Sequence, residues 1–523
     1  MPSDISSIKP VLDVNSQSHL YKFWEDLSPA DQDKYFNELV SLNTQRVNSA
    51  FQDALKVSEN SCFVDGRLMC PDPSTCGHAT SLRLCYPDEY ERFVSKGLKA
   101  ISERKVAVIL LAGGQGTRLE SANPKGMYDI GLPSRRTLFQ LQAERLLSLC
   151  RQVSTKCGQE ICIPWYIMTS DQTQKLTEDF FRKNGYFNYP EEHIIFFEQF
   201  DMPVLSFQGK ILMKDKASLC WSPEGNGGLY RALLDRGILQ NMRARGIDYV
   251  HIYGVDNVLV RLADPAFIGF CISRAADCAV KVVEKTDPAE PIGVVGVVDG
   301  KFRVVEYSEI SPSTAALVLP MPPSRIACCQ DEKDCDSKLA NSRLLYCHGN
   351  ICNHFMTLTF LERVCNPELE SQLPYHVARK KVPHIDLETG TTITPTQPNA
   401  LKLEKFIFDV FQFSQRFAIW EVDRATEFSP LKNRSGAQND CPETCRQSIL
   451  NLHASWARAA GAVFASEDNI NRDVIEISPL VSLNGENLEC LKGKTITGVN
   501  ILELRRSEDG EDVPTLIQVK ANN

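Results

Sequence analysis

The sequence predicts an α/β protein built around a mixed, mostly parallel sheet. The first observation is the apolar run VAVILL at Val106–Leu111, which is too short for a soluble helix and is ended by glycines. Such a run is typical of a buried strand in a parallel sheet. The second observation is that further apolar runs, at 163–170, 193–199 and 249–256, alternate with helical stretches. Strands and helices that alternate in this way place ligands at the carboxyl ends of the strands.

A glycine-rich segment, residues 112–118, follows the first strand and is called the glycine loop below. Gly113, Gly114 and Gly116 let the backbone bend sharply and bring its N–H groups close to an anion. Arg118 and Lys125 add two cations suited to phosphate oxygens. The spacing fits neither the P-loop nor the dinucleotide fingerprint. The sequence therefore predicts a phosphate site of another kind.

The composition is ordinary for an acidic globular protein. Of 523 residues, 43% are apolar and 24% are charged. The net charge of −9 argues against a nucleic-acid partner. The sequence shows no signal peptide and no apolar run long enough to span a bilayer, so we expect a cytoplasmic protein without a membrane partner. The oligomeric state is left open, with a homodimer among the options.

Nineteen cysteines, an odd number, predict reduced thiols rather than a set of disulfides. Cys70, Cys76, His78 and Cys85 suggest a zinc site, but their spacing lacks the paired cysteines of structural zinc sites. The pattern therefore disfavours zinc.

We expect three consecutive regions. Residues 1–100 form an N-terminal helical region, in which Ser28 caps a helix that has Pro29 at its first position. Residues 101–410 form the sheet domain. Residues 411–523 form a small C-terminal domain whose runs ISPLVSL, TITGVNILELR and PTLIQVK predict short antiparallel strands.

Two features interrupt the sheet domain. The segment 293–307 predicts a hairpin with Asp299-Gly300 as its turn. The segment 308–342 is proline-rich and then polar, which predicts a surface loop. It contains Cys328, Cys329 and Cys335.

The glycine loop carries a resemblance to a known family. LLAGGQGTRL followed by PKG resembles the signature of sugar-nucleotide pyrophosphorylases, and KGMYDIGLPSRRTLFQLQAERL is similar to the eukaryotic-type UDP-N-acetylglucosamine pyrophosphorylases. The resemblance implies a Rossmann-like nucleotidyltransferase core that makes UDP-N-acetylglucosamine and pyrophosphate from UTP and N-acetylglucosamine 1-phosphate, or also uses N-acetylgalactosamine 1-phosphate. It also implies Mg²⁺ as cofactor. The nucleophile is a phosphate oxygen that is already ionised, so catalysis needs positioned cations rather than a general base.

The resemblance also implies roles for individual residues. The expected catalytic residues are Arg118, Lys125 and Lys432. Those expected at the nucleotide are Leu111, Ala112, Gly113, Gly114, Lys125, Gln199, Gly225, Asp256 and Lys402. Those expected at the sugar are Asn226, Glu306, Tyr307, Asn350 and Lys432. Asp256 is the expected metal ligand, and Asp409 is a second candidate.

Three alternatives stay open at this point: a UDP-glucose or broad-specificity UDP-sugar pyrophosphorylase, a dinucleotide-dependent oxidoreductase, and a non-catalytic homologue that binds UDP-sugar. The last alternative rests on Glu120, which stands where the family loop normally has glycine. We expect its carboxylate to face solvent or to pair with a cation such as Arg135 or Arg136. If the backbone there has positive φ, strain is a further consequence.

Overall fold

The structure is a computed structural model that describes residues 4–59, 63–114, 116–320, 342–466 and 472–519. The chain forms two compact units, each assembled from three segments. Unit 1 comprises Met1–Phe63, Gln199–Asp235 and Val364–Val410, and unit 2 comprises Val64–Glu198, Arg236–Arg363 and Phe411–Asn523. The division into three consecutive regions stays a prediction. Cys328, Cys329 and Cys335 of the predicted surface loop lie outside the described residues.

The described part of unit 2 is organised around one mixed sheet of eleven strands. In chain order they are β1 (Leu68–Met69), β2 (Cys76–His78), β3 (Val106–Leu111), β4 (Trp165–Thr169), β5 (Ile194–Glu198), β6 (Tyr249–Gly254), β7 (Cys278–Glu284), β8 (Val294–Val298), β9 (Lys301–Val305), β10 (His348–Thr357) and β11 (Phe417–Val422). The main path of the sheet is β2-β11-β7-β10-β6-β3-β4-β5, and β8 joins β1, β9 and β10 beside it.

The pairing confirms the mixed, mostly parallel sheet. Along the main path, β10 is antiparallel to both β7 and β6, and the other five pairs are parallel. Every residue of β3 and β4 is buried, as their uninterrupted apolar sequences predict. The predicted hairpin is formed by β8 and β9, and Asp299 and Gly300 both have positive φ (52° and 76°), as its tight turn requires.

The described α-helices are numbered in chain order. They are α1 (Lys9–Val14), α2 (Pro29–Ser41), α3 (Thr44–Glu59), α4 (Ala79–Cys85), α5 (Pro87–Ser102), α6 (Leu138–Cys157), α7 (Gln174–Lys183), α8 (Leu229–Asp235), α9 (Ile238–Ala244), α10 (Pro265–Ser273), α11 (Pro312–Ala315), α12 (Leu358–Val364), α13 (Pro367–Glu370), α14 (Arg424–Glu427) and α15 (Pro442–Ala459). None of the described helices is long and apolar enough to cross a membrane.

The shorter strands lie outside the main sheet. In unit 1 they are Asp201–Pro203, Leu205–Ser206, Met213–Asp215, Ser218–Leu219, Trp221–Pro223, His376–Lys380, His384–Ile385, Thr392–Ile393 and Ala400–Glu404. In unit 2 they are Val318–Pro320, Ser342–Leu344, Val463–Phe464, Val474–Ile477, Thr495–Ile496, Val499–Arg506 and Asp512–Val519.

The N-terminal region is only partly as predicted. The hydroxyl of Ser28 caps α2 and accepts the N–H of Asp31, with Pro29 at the first helical position. However, β1 and β2 also lie within residues 1–100 and join the main sheet, so the region is not wholly helical. Their two- and three-residue length is too short for the alternation that marks a strand in sequence.

The C-terminal strands differ from the prediction. Val499–Arg506 and Asp512–Val519 form the expected antiparallel pair, but Val474–Ile477 runs parallel to Val499–Arg506. Beyond Ile477, the run ISPLVSL is irregular. Pro479 has no N–H for a ladder, and the carboxylate of Glu486 instead accepts the N–H groups of residues 483 and 484.

Candidate functional site

The glycine loop leaves the carboxyl end of β3 and is anchored by β4 and the residues after it. The N–H of Ala112 donates to the carbonyl of Met168 at 2.8 Å, and the Ser170 hydroxyl donates to the carbonyl of Gly113 at 3.0 Å. Leu111, Ala112 and Gly113 are buried. The start of the loop is therefore held in place by contacts that do not consume the N–H groups of the residues that follow.

The second half of the loop is more open. Gly114 is exposed, and Gly116 has φ +59°, a conformation that favours glycine. A Cβ on Gly116 would lie 3.8 Å from the Cβ of Lys125, which places Lys125 beside the loop. Arg118 lies in a short 3-10 helix, Thr117–Leu119, and is exposed.

Asp256 lies next to the glycine loop because β6 pairs in parallel with β3. Gly254, the last residue of β6, is opposite Leu111, and the N–H of Val255 donates to the Leu111 carbonyl at 3.2 Å. A Cβ on Gly254 would lie 2.9 Å from Oδ1 of Asp256, so glycine leaves room for this half-buried carboxylate.

Asn257 brings Lys432 to the same edge, a role that sequence reasoning missed. Its side chain accepts the N–H groups of Leu259 and Ser429 and donates to the carbonyl of Glu427. The N–H of Leu431 also donates to the Asp256 carbonyl at 2.8 Å. A buried asparagine that joins segments about 170 residues apart has no local sequence signal.

Cys352 lies beside Asp256, and it too was missed: a Cβ on Gly254 would lie 3.8 Å from its Sγ and 2.9 Å from Oδ1 of Asp256. Burial raises the pKa of the Cys352 thiol to about 12, with the Asp256 carboxylate adding to the rise and the Lys432 ammonium opposing it. Cys352 lies in β10 with φ +52°, at an irregularity in the pairing with β7. A single cysteine between Ile351 and Asn353 gives no sequence signal for such a bulge.

The cations of the site lack carboxylate partners. Within the described part of the chain, Arg118, Lys125 and Lys432 of unit 2 form no ion pair or hydrogen bond with their side chains. Among the same residues, no ion pair or hydrogen bond reaches the Asp256 carboxylate. These three cations and one carboxylate are therefore available to a ligand.

Two of the residues predicted at the sugar lie close together in unit 2. The N–H of Asn350 donates to the carbonyl of Gly293 at 2.8 Å, and a Cβ on Gly293 would lie 3.0 Å from Oε1 of Glu306. Oδ1 of Asn350 accepts the N–H of Cys352 at 3.2 Å, which connects this pair to the Asp256 neighbourhood. Tyr307 is 55% exposed.

Unit 1 holds the other predicted residues. Oε1 of Gln199 is buried and has no hydrogen-bond partner among the described residues, and it lies 3.6 Å from where a Cβ on Gly228 would be. Gly225 has φ +91°, and a Cβ there would lie 2.6 Å from the Lys405 carbonyl oxygen. Oδ1 of Asn226 accepts the N–H of Ile407 at 3.0 Å. The turn is thus packed tightly beside a buried, unpaired amide oxygen.

Lys402 and Asp409 also lie in unit 1. Lys402 is half-buried in the strand Ala400–Glu404. The Asp409 carboxylate already pairs with the His376 ring at 2.9 Å. Its role as a second metal ligand stays a prediction.

The donor set at Asp256 fits a hard divalent cation. Among the described residues, no group of three or more His, Cys, Asp or Glu side chains could hold a metal ion. Mg²⁺ takes one or two carboxylates and completes its shell with water and substrate phosphates. A single unpaired carboxylate beside a glycine loop matches that requirement.

Glu120 departs from the expectation in one respect. Its carboxylate is exposed, as predicted, but it pairs with Arg434 at 2.8 Å. The predicted partners are occupied elsewhere: Arg135 pairs with Asp129, and Arg136 pairs with Glu144. Arg434 is 314 residues away in sequence, so only the fold brings it near. The backbone of Glu120 has φ +55°, so the strain considered from the sequence is also present at this residue.

Comparison with known proteins gives consistent matches. A sequence profile of the family described as UTP--glucose-1-phosphate uridylyltransferase matches residues 79–317. The chain is 45% identical over 519 residues to UDP-N-acetylhexosamine pyrophosphorylase-like protein 1 of Xenopus tropicalis, covering 96% of both chains. It is 42% identical over 486 residues to UDP-N-acetylglucosamine pyrophosphorylase of Saccharomyces cerevisiae, covering 91% of this chain and 95% of that one.

A solved structure gives the same result. The uridine diphosphate N-acetylglucosamine pyrophosphorylase from Trypanosoma brucei, in complex with an inhibitor, superposes with a TM-score of 0.75 at 28% identity. The match covers 92% of this chain and 93% of that one.

The sheet, with its glycine loop at the carboxyl edge, is that of an α/β nucleotidyltransferase. Proteins of this class generally depend on a divalent metal ion. With 45% identity across 96% of its length, the chain belongs to the UDP-N-acetylhexosamine pyrophosphorylase family. The family predicted from the glycine loop is confirmed.

The packing of Gly225 generates a prediction. Gly225→Ala should lower the free energy of unfolding by more than about 2 kcal/mol, since it adds a clash with the Lys405 carbonyl to the cost of its backbone conformation. Gly390→Ala in the same unit is the control. Gly390 also has positive φ (+69°), but its nearest neighbour is the flexible end of Lys216. Urea unfolding should give a loss of about 1 kcal/mol there. An equal loss of unfolding free energy in the two variants would mean that Gly225 is not packed tightly against the Lys405 carbonyl.

Proposed function

We propose that the protein transfers the uridylyl group of UTP to N-acetylglucosamine 1-phosphate, which gives UDP-N-acetylglucosamine and pyrophosphate. An oxygen of the sugar phosphate bonds to the α-phosphorus of UTP, and the bond from that phosphorus to the bridging oxygen of pyrophosphate breaks. Pyrophosphate leaves with the electron pair, and the reaction is reversible. N-acetylgalactosamine 1-phosphate is a second proposed acceptor.

The observation that carries this proposal is the set of unpaired charges in unit 2. Arg118, Lys125 and Lys432 lack carboxylate partners among the described residues, although the chain as a whole has a net charge of −9. Two polyanions must approach each other in this reaction, and preorganised cations offset their repulsion. No described side chain is needed as a general base, because the attacking phosphate oxygen is already ionised.

We assign Mg²⁺ to the Asp256 carboxylate, where it would neutralise phosphate charge. The chain's own contribution is to hold the carboxylate at the end of β6, beside the glycine loop. The backbone N–H groups of the loop orient the phosphates, and Lys432 compensates the charge of the sugar phosphate.

Recognition of the base and the sugar is assigned to neutral or acidic side chains. Gln199 offers a buried amide oxygen that has no partner in the described part of the chain, which suits the ring N–H of uracil. Glu306 and Asn350, near each other at Gly293, suit the hydroxyl and N-acetyl groups of the sugar. Leu111, Ala112, Gly113, Gly114, Gly225 and Lys402 are assigned to the nucleotide, and Asn226 and Tyr307 to the sugar.

A substrate panel tests the proposal. Pyrophosphate release from UTP and Mg²⁺ should be fastest with N-acetylglucosamine 1-phosphate and at least about tenfold slower with glucose 1-phosphate, which lacks the N-acetyl group. Faster turnover with glucose 1-phosphate would favour a UDP-glucose pyrophosphorylase. Binding of UDP-N-acetylglucosamine without pyrophosphate release would favour a non-catalytic homologue. A cytoplasmic location and a homodimer stay predictions.

Arg118→Ala should lower kcat by roughly 10²-fold or more, because it removes a donor to charge that develops in the transition state. Arg135→Ala is the matched control, since Arg135 is an exposed arginine in the next segment that is paired with Asp129. Its kcat should stay within about twofold of the parent protein. Near-normal turnover by folded Arg118→Ala protein would remove this residue from the mechanism.

Asp256→Asn should weaken Mg²⁺ activation by at least about tenfold and lower the rate, because it keeps the side-chain shape and removes the charge. The same change at Asp248, which precedes β6 at the opposite end and pairs with Lys105, should leave both unchanged. The check is the Mg²⁺ dependence of pyrophosphate release, with circular dichroism to verify the fold. An unaltered Mg²⁺ dependence would mean that the metal is held elsewhere.

Glu120→Gly should change kcat/KM for UTP by less than about threefold, an effect below about 1 kcal/mol. The reason is that the Glu120 carboxylate is exposed and is already neutralised by Arg434. Glu120→Ala removes the same charge but keeps a Cβ at positive φ, so the two variants separate charge from backbone strain. A gain of a hundredfold or more would show that Glu120 suppresses activity.

A further inference from the structure

A cavity in unit 2 lies between α6 and α15, and none of the residues assigned to the nucleotide, the sugar or the metal lines it. Its volume is about 70 Å³, and it opens to solvent. One buried water needs about 10–15 Å³ by the same measure, so the space holds a group several times larger than a water molecule. Much of its wall is apolar, with Leu141 and Leu149 on α6 and Ile449, Leu452 and Trp456 on α15. We call this space the helix pocket.

Arg145 supplies the first polar group of the helix pocket. Its guanidinium donates to the carbonyls of Val258 and Val260, at 2.8 and 3.3 Å. It forms no ion pair with any described residue. Burial lowers the pKa of Arg145 to about 10, so the group remains charged at neutral pH. Among the described residues, two of its five N–H groups are used and its charge has no direct counter-ion.

Arg261 supplies the second group. Its nearest carboxylate is Glu427, at 3.6 Å, which is beyond hydrogen-bond distance. Glu427 is held more closely by Lys281, at 2.6 Å. The part of the chain that the structure describes offers Arg261 no hydrogen bond. Arg261 therefore has donors to spare.

His453 supplies the third group. Its Nδ1 accepts the N–H of Ile477 at 2.9 Å, so the ring proton lies on Nε2. Burial lowers the pKa of His453 to about 3, and Arg145 adds to this shift, so the ring is neutral. Nε2 has no partner among the described residues and is a further donor.

We propose that the helix pocket binds a small organic anion, a carboxylate or sulfonate joined to an aromatic or branched apolar body. The three polar side chains described above are all donors, and two of them are cations. Asp264, a buried acceptor that also lines the pocket, already accepts from Lys281 at 2.6 Å and from the N–H of Ala266 at 3.1 Å. Acceptor oxygens of an anion would satisfy the spare donors, and its body would bury against the leucines and Trp456.

The test uses the full chain and the probe 8-anilinonaphthalene-1-sulfonate, whose sulfonate is attached to an aromatic body. Titration calorimetry should give one saturable site. N-phenyl-1-naphthylamine, which has the same body without the sulfonate, should bind at least about tenfold more weakly. UTP and UDP-N-acetylglucosamine should not displace the probe, so the result does not depend on the proposed function. Displacement by UTP, or equal binding of the neutral compound, would overturn the proposal.

Leu452→Trp should fill the helix pocket and weaken probe binding by at least about tenfold. Leu84→Trp is the matched control, because Leu84 is 61% exposed on α4 and does not line the pocket. Unchanged affinity in folded Leu452→Trp protein would overturn the proposal. If that variant does not fold, a crystal of the parent protein soaked with the probe decides: density between α6 and α15 supports the site, and density only elsewhere overturns it.

Discussion

The parallel pairing of β3 with β6 is the constraint on which the candidate site depends. With Leu111 opposite Gly254, the glycine loop and Asp256 leave the sheet at the same edge. A slip of one residue would turn every side chain of β3 to the other face. All six residues of β3 are buried, so such a slip would have to repack both sides of the sheet. Burial of β3 thus fixes the position of the charges.

The cations of the site differ from the buried lysine of the same unit in having no carboxylate partner among the described residues. The fully buried Lys281 is held at 2.6 Å by both Asp264 and Glu427, as a buried ammonium requires. Arg118, Lys125 and Lys432 have no such partners among the described residues. A cation without a carboxylate partner keeps its full charge available to an anionic ligand.

In unit 1, a neutral group lacks a partner among the described residues: the side-chain amide oxygen of Gln199. Leaving a buried amide oxygen without a donor costs about 1–3 kcal/mol, and Gln199 has such an oxygen among the described residues. A ligand N–H that reached it would recover this free energy, and a ligand without one would not. The close packing of Gly225 and Gly227 on the 404–406 backbone fixes the turn beside it. A rigid turn and an amide oxygen that lacks a donor together favour ligands that carry an N–H at that position over ligands that do not.

Much of the fold could be predicted from sequence because its signals are local. Apolar runs gave the strands that became β3 to β6, glycines marked the loop, and Asp299-Gly300 marked the hairpin turn. The candidate site residues were predicted too, but mainly through resemblance to a family. The short strands β1 and β2 were missed because two or three residues show no alternation. The parallel pairing of Val474–Ile477 was missed because the direction of pairing has no signal in the strand itself.

The sequence by itself determined the strands β3 to β6, the hairpin, the glycine loop and the family. The tertiary structure alone decided that Asn257 carries Lys432 to Asp256, that Cys352 lies close enough to feel both charges, and that Glu120 pairs with Arg434. Each of these contacts joins residues about 80 to 310 positions apart. Local periodicity reports which face of an element is buried, but it holds no information about which distant side chain will be packed against that face.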